Sequence, residues 1–490
     1  MKTHVLVCAF LLGPFLLDGV MAQVQMGGDI LGSTNNEFSG CAIALSGDGT
    51  RIVVGALGNS EIDFRSGYVR VFDWNGTNWT KIGNNIYGAQ NQGFLGTAVA
   101  ISADGNRIAV GENNHDGNGN GSGRVLLYDW NGEDFIQVGQ AIPGESSGDR
   151  SGNAISLSAD GSRVAIAALY GDGQSAARGN VRVFELDGNV WRRQGYRIEG
   201  QTFGRAFGRS IDISADGNRV VVGAPSSNYD DTYPGYVQVF EWNGFLWEKM
   251  GLTIHGETLG SDCGWEVAMD GSGDRIIIGS PGHNLNVEWG GAARIFEWDG
   301  DDWELLGEQI EGEEYAYAMG REVDISYDGN RIVVGATGFG EAEYSPGYVQ
   351  AYDWNGSQWV AIGDLIEGPE DDVGFSVSLS LAAEGERMAY AWEKAVTWDG
   401  LTRIYQYDPV LTTTTTIVER LEVFPNPTTG PIVIKGHEGE FARLTDQQGR
   451  TLWQGIIRGE SIDLTSFPNG LYDLQIRSAE GIYAERILKH

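Results

Sequence analysis

Arginine stands at Arg51, Arg107, Arg163, Arg219, Arg275, Arg331 and Arg387, each 56 residues after the last. A ring of cations could hold an anion, but each of these side chains follows a turn at the same place in a repeat, so pairing with carboxylates at a hairpin rim is the expected role. The histidines beyond the N-terminal segment are His115, His255, His283, His437 and His490, one to a region. That scatter shows neither a zinc site nor a Ser/His/Asp arrangement. Carboxylates are so plentiful, with 67 Asp and Glu, that a glycosidase pair stays open and none is singled out. Asp116, Asn118 and Asn120, followed by Gly121, open like a calcium loop, but the place of the bidentate Glu is taken by Leu127. A Gly/Asn-rich loop is the plainer reading of that run.

The elements that must position such groups come from the repeat itself. Around the seven arginines stand LSGDGTRIVVGA, ISADGNRIAVGE, LSADGSRVAIAA, ISADGNRVVVGA, MDGSGDRIIIGS, ISYDGNRIVVGA and LAAEGERMAYAW. Within each copy four runs alternate apolar and polar residues with period two, the mark of half-buried strands. In the fourth copy the strands are expected at Ser210 to Ser214, Arg219 to Gly223, Gly235 to Trp242 and Leu246 to Gly251. Asp216-Gly217 and Asn243-Gly244 should supply tight primed turns. Ten of the 15 tryptophans flank the third turn, such as Trp74 with Trp79, where they can cover outer-strand packing.

A four-stranded antiparallel unit cannot bury both faces alone, so the copies must stack, and radial stacking gives an all-β, seven-bladed propeller. Copy seven ends at its third strand, Thr402 to Tyr407, before Pro409. The missing strand is at the other end of the chain, where Val24, Met26, Gly27, Ile30 and Gly32 match Thr80, Ile82, Gly83, Ile86 and Gly88. The N-terminal strand should therefore close blade seven and remove the free edges.

Successive connections in an antiparallel blade alternate ends, so the variable loops at 57–66, 112–122, 169–178, 225–234, 281–290 and 337–346 gather on one face. Ligand-binding residues belong on such loops. Tyr229, Asp230, Asp231, Tyr233, His283, Trp289, Glu314, Tyr315 and Tyr344 lie there or on the adjoining blade connections, aromatics beside carboxylates that suit sugars or peptides. A merely solvated rim is the alternative for any one of them.

Composition agrees with many short strands: 490 residues hold 73 glycines, 12 prolines and 11% aromatics. The formal charge is -34, and residues 417–490 hold 10 acidic and 8 basic side chains, so about -32 belongs to what precedes them. Nucleic acid and anionic membrane surfaces are poor partners for such a chain. Lys2, the apolar run Val5 to Leu17, and Val20, Met21 and Ala22 read as a signal peptide over 1–22, with Gln23 the first mature residue. No later segment is apolar and long enough to be a transmembrane helix. Cys41 and Cys263 should sit in non-adjacent blades, too far apart for a bridge, as two buried thiols.

The copies resemble the FG-GAP repeats of integrin α-subunit propellers, and more closely their bacterial variants, through Phe207-Gly208, the run Val220 to Pro225 and the run Gly235 to Phe240. The resemblance covers residues 23–408 and implies a propeller used for binding. The family's DxDxDG calcium loop is replaced by Ser-x-Asp-Gly with a single carboxylate. No cofactor is therefore expected, and calcium lacks its usual loop pattern. Ser214, Asp216 and Gly217 do not make a sialidase Asp box, because glycine follows the aspartate directly and no Thr-Trp comes after.

After a linker at 409–416, residues 417–490 resemble the type A sorting domain of the type IX secretion system of Bacteroidetes. The resembling elements are Leu421 to Gly430, Leu444 to Arg450, Ile462 to Ile476 and Lys489. Short alternating strands with Asn-Pro and Pro-Asn-Gly turns predict a small β-sandwich. The resemblance implies recognition by the outer-membrane translocon, and a secreted or surface-attached product. The expected function is a non-catalytic binding or adhesion protein, its loop face holding a glycan or protein ligand. A propeller glycoside hydrolase or polysaccharide lyase, and a structural surface component, are the alternatives.

Overall fold

The computed structural model describes residues 21–171, 178–200, 206–225, 233–284, 287, 290–312, 318–337, 347–368, 376–392, 399–409, 423–424, 428, 431–434, 441–446, 451–456, 461–462, 464–465, 467–478 and 481–489. The chain divides into two compact units, Val20–Asp408 and a second built on Pro409–His490. The expected signal peptide lies, for residues 1–20, outside the described residues.

The first unit is a seven-bladed β-propeller. Blade four shows the plan, with strands Ile211–Ile213, Arg219–Ala224, Tyr236–Trp242 and Trp247–His255 hydrogen-bonded in that order. Blade seven takes Ser376–Leu381, Arg387–Trp392 and Leu401–Pro409 from the end of the repeats, and Met21–Gln25 from the start of the chain as its outer strand. Ile30–Leu31 continues that edge, with Ile30 opposite Thr402. Second strands such as Arg219–Ala224 are packed on both faces, and Val220, Val221 and Val222 are fully buried. That placement explains why they read as unbroken apolar runs rather than alternating ones.

The hairpins differ from the primed two-residue turns expected of Asp-Gly and Asn-Gly. Trp74 pairs directly with Trp79, which leaves a four-residue loop in which Gly76 but not Asn75 has positive φ. The Asn75 side-chain oxygen instead accepts from the amides of Thr77 and Asn78, each at 2.9 Å. In the first turn Asp48 accepts from Ser46 Oγ at 2.7 Å and from the Thr50 amide at 2.9 Å. The short polar side chain caps the loop from inside, so the backbone has no need of two left-handed residues.

Three sets of ties run from blade to blade. The Arg331 guanidinium grips Asp353 of its own blade at 2.6 and 2.7 Å and donates to the Gly385 carbonyl of the next at 2.8 Å. Arg387 completes the circle by donating to the Asp48 carbonyl of blade one at 2.8 Å. Outside, Trp247 Nε1 donates to the Gln194 carbonyl of the preceding blade at 3.2 Å. Trp79 of blade one reaches the Met26 carbonyl in the N-terminal segment at 3.0 Å. Near the axis, backbone amides of the first turns bond onward from Gly47 to Ala103, Ala159, Ala215, Gly271, Tyr327 and Ala383 at 2.8–3.0 Å. Six of the seven arginines thus pair with a carboxylate at the rim, as their place in the repeat suggests, while Arg387 bonds a backbone carbonyl.

In the second unit, Val423–Phe424, Ile432–Ile434 and Ser461–Ile462 form one sheet. Thr451–Ile456, Phe441–Asp446, Gly470–Ser478 and Gly481–Lys489 form another. Ile432, Ile434, Leu444, Leu464 and Leu474 are fully buried in its core. Lys489 is buried as well, its ammonium donating to the Phe467 carbonyl at 2.5 Å. Cys41 and Cys263 are both free thiols, Cys263 fully buried and Cys41 half-buried on the channel described below.

Candidate functional site

The innermost strand of every blade borders the propeller axis, and its polar edge needs partners there. Side chains 56 residues apart supply them. Ser156 Oγ accepts from the Ile213 amide at 3.3 Å, Ser210 from Val267 at 3.0 Å, Asp212 from Met269 at 2.9 Å and Asp324 from Leu381 at 2.7 Å. Ser378 and Ser380 accept from Ile43 and Leu45, both at 3.1 Å. Blades three, four, six and seven therefore each cap the inner strand of the next.

Three columns of the repeat carry this inner wall. The first reads Cys41, Thr97, Asn153, Arg209, Trp265, Arg321 and Val377; the second Ala42, Ala98, Ala154, Ser210, Glu266, Glu322 and Ser378; the third Ala44, Ala100, Ser156, Asp212, Ala268, Asp324 and Ser380. Every charged member falls in blades four to six. Members of the first two columns, together with the apolar residue that follows them, enclose a cavity of about 450 Å³. One side of it is small and uncharged, with Ala42, Ala98 and Ala154. The other presents Arg209, Arg321, Glu266 and Glu322. The innermost strand starts at the connection between blades and ends at the first turn, so the first column lies toward the loop face.

Arg209 and Arg321, from the blades on either side of blade five, sit over the Trp265 ring at 4.6 and 4.0 Å from its centroid. The indole face is attractive to both cations and holds the two guanidinium groups close to one another. Among the described residues the Arg209 guanidinium makes no hydrogen bond or ion pair, and the Glu322 carboxylate accepts no hydrogen bond.

Burial pushes the Glu266 carboxyl up to about 7, opposed by Arg209 and by the hydrogen bond from Ser210. Burial and the repulsion of Glu266 raise Glu322 well above the usual carboxylate range. Asp324 is pushed up to about 7, again mainly by burial. The two carboxyls of Glu266 and Glu322 repel one another, and both favour the protonated form more than an ordinary carboxylate does.

Of the residues expected on the rim, Tyr229, Asp230, Asp231, Trp289, Glu314, Tyr315 and Tyr344 lie outside the described residues. Tyr233 is 46% exposed on the loop face, where a ligand could reach it. His283 is only 4% exposed, so it lies beneath the rim rather than on it, and burial lowers its pKa. In the loop of blade two, the Asp116 carboxylate accepts from the Gly121 amide at 2.8 Å, and the Asn118 amide donates to the Gly144 carbonyl at 2.7 Å. Asn120 offers its backbone carbonyl to Ser147 Oγ at 2.8 Å. These contacts shape the loop and do not converge on a point. Among the described residues no group of three or more His, Cys, Asp and Glu is placed to hold a metal ion.

The channel set was missed because each member looks ordinary in its own copy. Reading the columns across copies would have exposed it: Ala-Ala-Ala-Ser-Glu-Glu-Ser is not a repeat consensus drifting at random.

Residues 422–490 match the family model of the secretion system C-terminal sorting domain. This segment directs export through the type IX system to the cell surface or the extracellular space. A search of curated proteins found no match. Among solved structures, one similar chain is described as a "putative 6-phosphogluconolactonase" from Bacteroides uniformis. It is 12% identical, and the alignment covers 68% of this chain and 86% of that one with a TM-score of 0.45. A likeness at that level carries no argument about activity.

Proposed function

We propose that this is a non-catalytic binding protein of the cell surface or extracellular space, whose propeller takes a glycan or protein ligand on its loop face. The observation that carries the reading is the division between the two faces of the ring. On the turn face the recurring charged side chains are engaged within or between blades, as with Arg331 between Asp353 and Gly385. The described connections at 57–66 and 112–122 lie at the opposite end of their blades, held by a scaffold closed on itself, as recognition surfaces are. Export by the C-terminal segment places that face where extracellular polymers are met.

The test is a glycan array probed with the purified propeller, with and without a chelator. Saturable binding that survives chelation supports the reading, and silence across glycans and surface-protein extracts counts against it. One observation favours a second reading, a propeller glycoside hydrolase or polysaccharide lyase: the Glu266 and Glu322 pair has the raised proton affinity a general acid needs. New reducing ends or unsaturated products from polysaccharides, lost in Glu322→Gln, would establish that reading instead.

A further inference from the structure

We propose that the charged half of the channel, at blades four to six, is a binding site for a small zwitterion of the α-amino-acid type, its carboxylate on Arg209 and its ammonium on Glu322 and Glu266. The site lies in the channel rather than on the variable loops, and the inference stands whether or not those loops bind a polymer.

Geometry selects the class. The cavity of about 450 Å³ falls within the size of small-molecule sites and suits a molecule of several to a dozen heavy atoms. Its other side, in blades one to three, carries Ala42, Ala98 and Ala154 among uncharged residues, so the charged groups converge on one side only. The neighbouring groups at the same level are already employed. Asp212 and Asp324 accept the Met269 and Leu381 amides, and Ser210 Oγ donates to Glu266 at 2.8 Å. That leaves the Arg209 donors and the Glu322 acceptors without hydrogen-bond partners among the described residues, on neighbouring parts of one wall. A guanidinium edge in the channel wall suits a planar anion, which a carboxylate satisfies in bidentate fashion. A carboxylate in the same wall suits a donor, and an ammonium supplies up to three.

Charge narrows the choice further. The full chain carries -34, so a ligand of net negative charge approaches against the field. A simple amine would pair with Glu322 but leave Arg209 unmet, whereas a zwitterion answers both groups and adds no net charge to an enclosed site. An ammonium beside Glu266 and Glu322 also relieves their mutual repulsion.

The test uses the full chain with glycine, alanine, leucine and phenylalanine as probes, each beside its decarboxylated amine and its 2-hydroxy acid. Titration calorimetry should show saturable binding of at least one of the four. Its amine and hydroxy acid should bind about tenfold more weakly or worse. Arg209→Gln and Glu322→Gln should each weaken the amino acid about tenfold or more. Ala154→Leu, which fills the uncharged side without touching a charge, should abolish binding, and thermal unfolding checks that all three variants fold. The inference is overturned if none of the four amino acids binds. It is also overturned if the analogues bind equally well, or if folded Arg209→Gln and Glu322→Gln bind like the parent.

Discussion

A single arginine per blade carries an unusual share of the ring's cohesion. Arg331 makes two bonds to Asp353 and one to the next blade, with its side chain 12% exposed. Arg331→Ala should therefore lower stability by about 1–3 kcal/mol in urea unfolding, more than an exposed ion pair would. Stability should also follow the carboxyls in both directions. Asp104, Asp160 and Asp216 have lowered pKa values; for Asp216 the opposing burial is outweighed by bonds from Ser214 and Asn218. Their contribution is present above the ordinary 3.8 and lost as pH falls below it. Glu266 and Asp324 behave oppositely. Both titrate at about 7 in the fold, so their contribution is full below the ordinary carboxylate range and fades as pH rises through 7. Melting temperature should be highest from about pH 4 to 6, and Glu266→Gln should flatten the decline on the alkaline side. An unchanged alkaline limb in that variant would contradict the assignment. At this scale the sequence exposed Arg51 and its six counterparts, because they never vary. It hid Arg209, Glu266 and Glu322, because they matter by departing from their columns.

The strands were legible because burial imposes period two on them, and the 56-residue step fixed their order. Turn geometry was less so. Asn-Gly has the same letters in a two-residue and a four-residue loop, and only the pairing of Trp74 with Trp79 decides which is built. A further feature invisible in the letters is a residue that precedes the innermost strand in blades one to six. Phe38, Phe94, Arg150, Ala206, Asp262 and Ala318 all have positive φ, between 44° and 57°, although none is glycine. The backbone must reverse sharply between blades, and closure holds it there against a cost of about 1–2 kcal/mol each. Between outer strands the tryptophan bond is the comparable device. Trp247→Phe keeps most of the ring contact with Trp242 but loses the bond to Gln194, and should cost about 0.5–1.5 kcal/mol. Blade two already carries Phe135 at this place, packed on Trp130 with centroids 5.0 Å apart, so the substitution is sterically familiar to the fold. A loss well above that range in thermal or urea unfolding would mean the indole does more than bridge two blades.

Each of these ties presupposes a closed circle, and closure is the work of the chain's first strands. They reach blade seven through Ile30 opposite Thr402, the Met26 amide on the Ile404 carbonyl at 2.8 Å, and Asp29 on Arg403 at 2.7 Å. Without them the strand Leu401–Pro409 would offer an open edge for another chain to pair with. The channel wall depends on the same closure, since Ser378 and Ser380 cap blade one only if blade seven lies beside it. The match between residues 24–32 and the other fourth strands made this readable from sequence. The loop face was readable only as a location, because variable loops share no pattern across copies by which a ligand contact could be told from a solvated side chain. The most direct measurement is a bridge across the seam in the double variant Ile30→Cys, Thr402→Cys. Directly paired residues on antiparallel strands bring their Cα atoms within disulfide range. Oxidation should give a monomer with an internal bridge, stabilised by about 2–4 kcal/mol. Two thiols that stay open to alkylation in the folded protein, or that bridge only between chains, would contradict a ring closed by its own N-terminal strands.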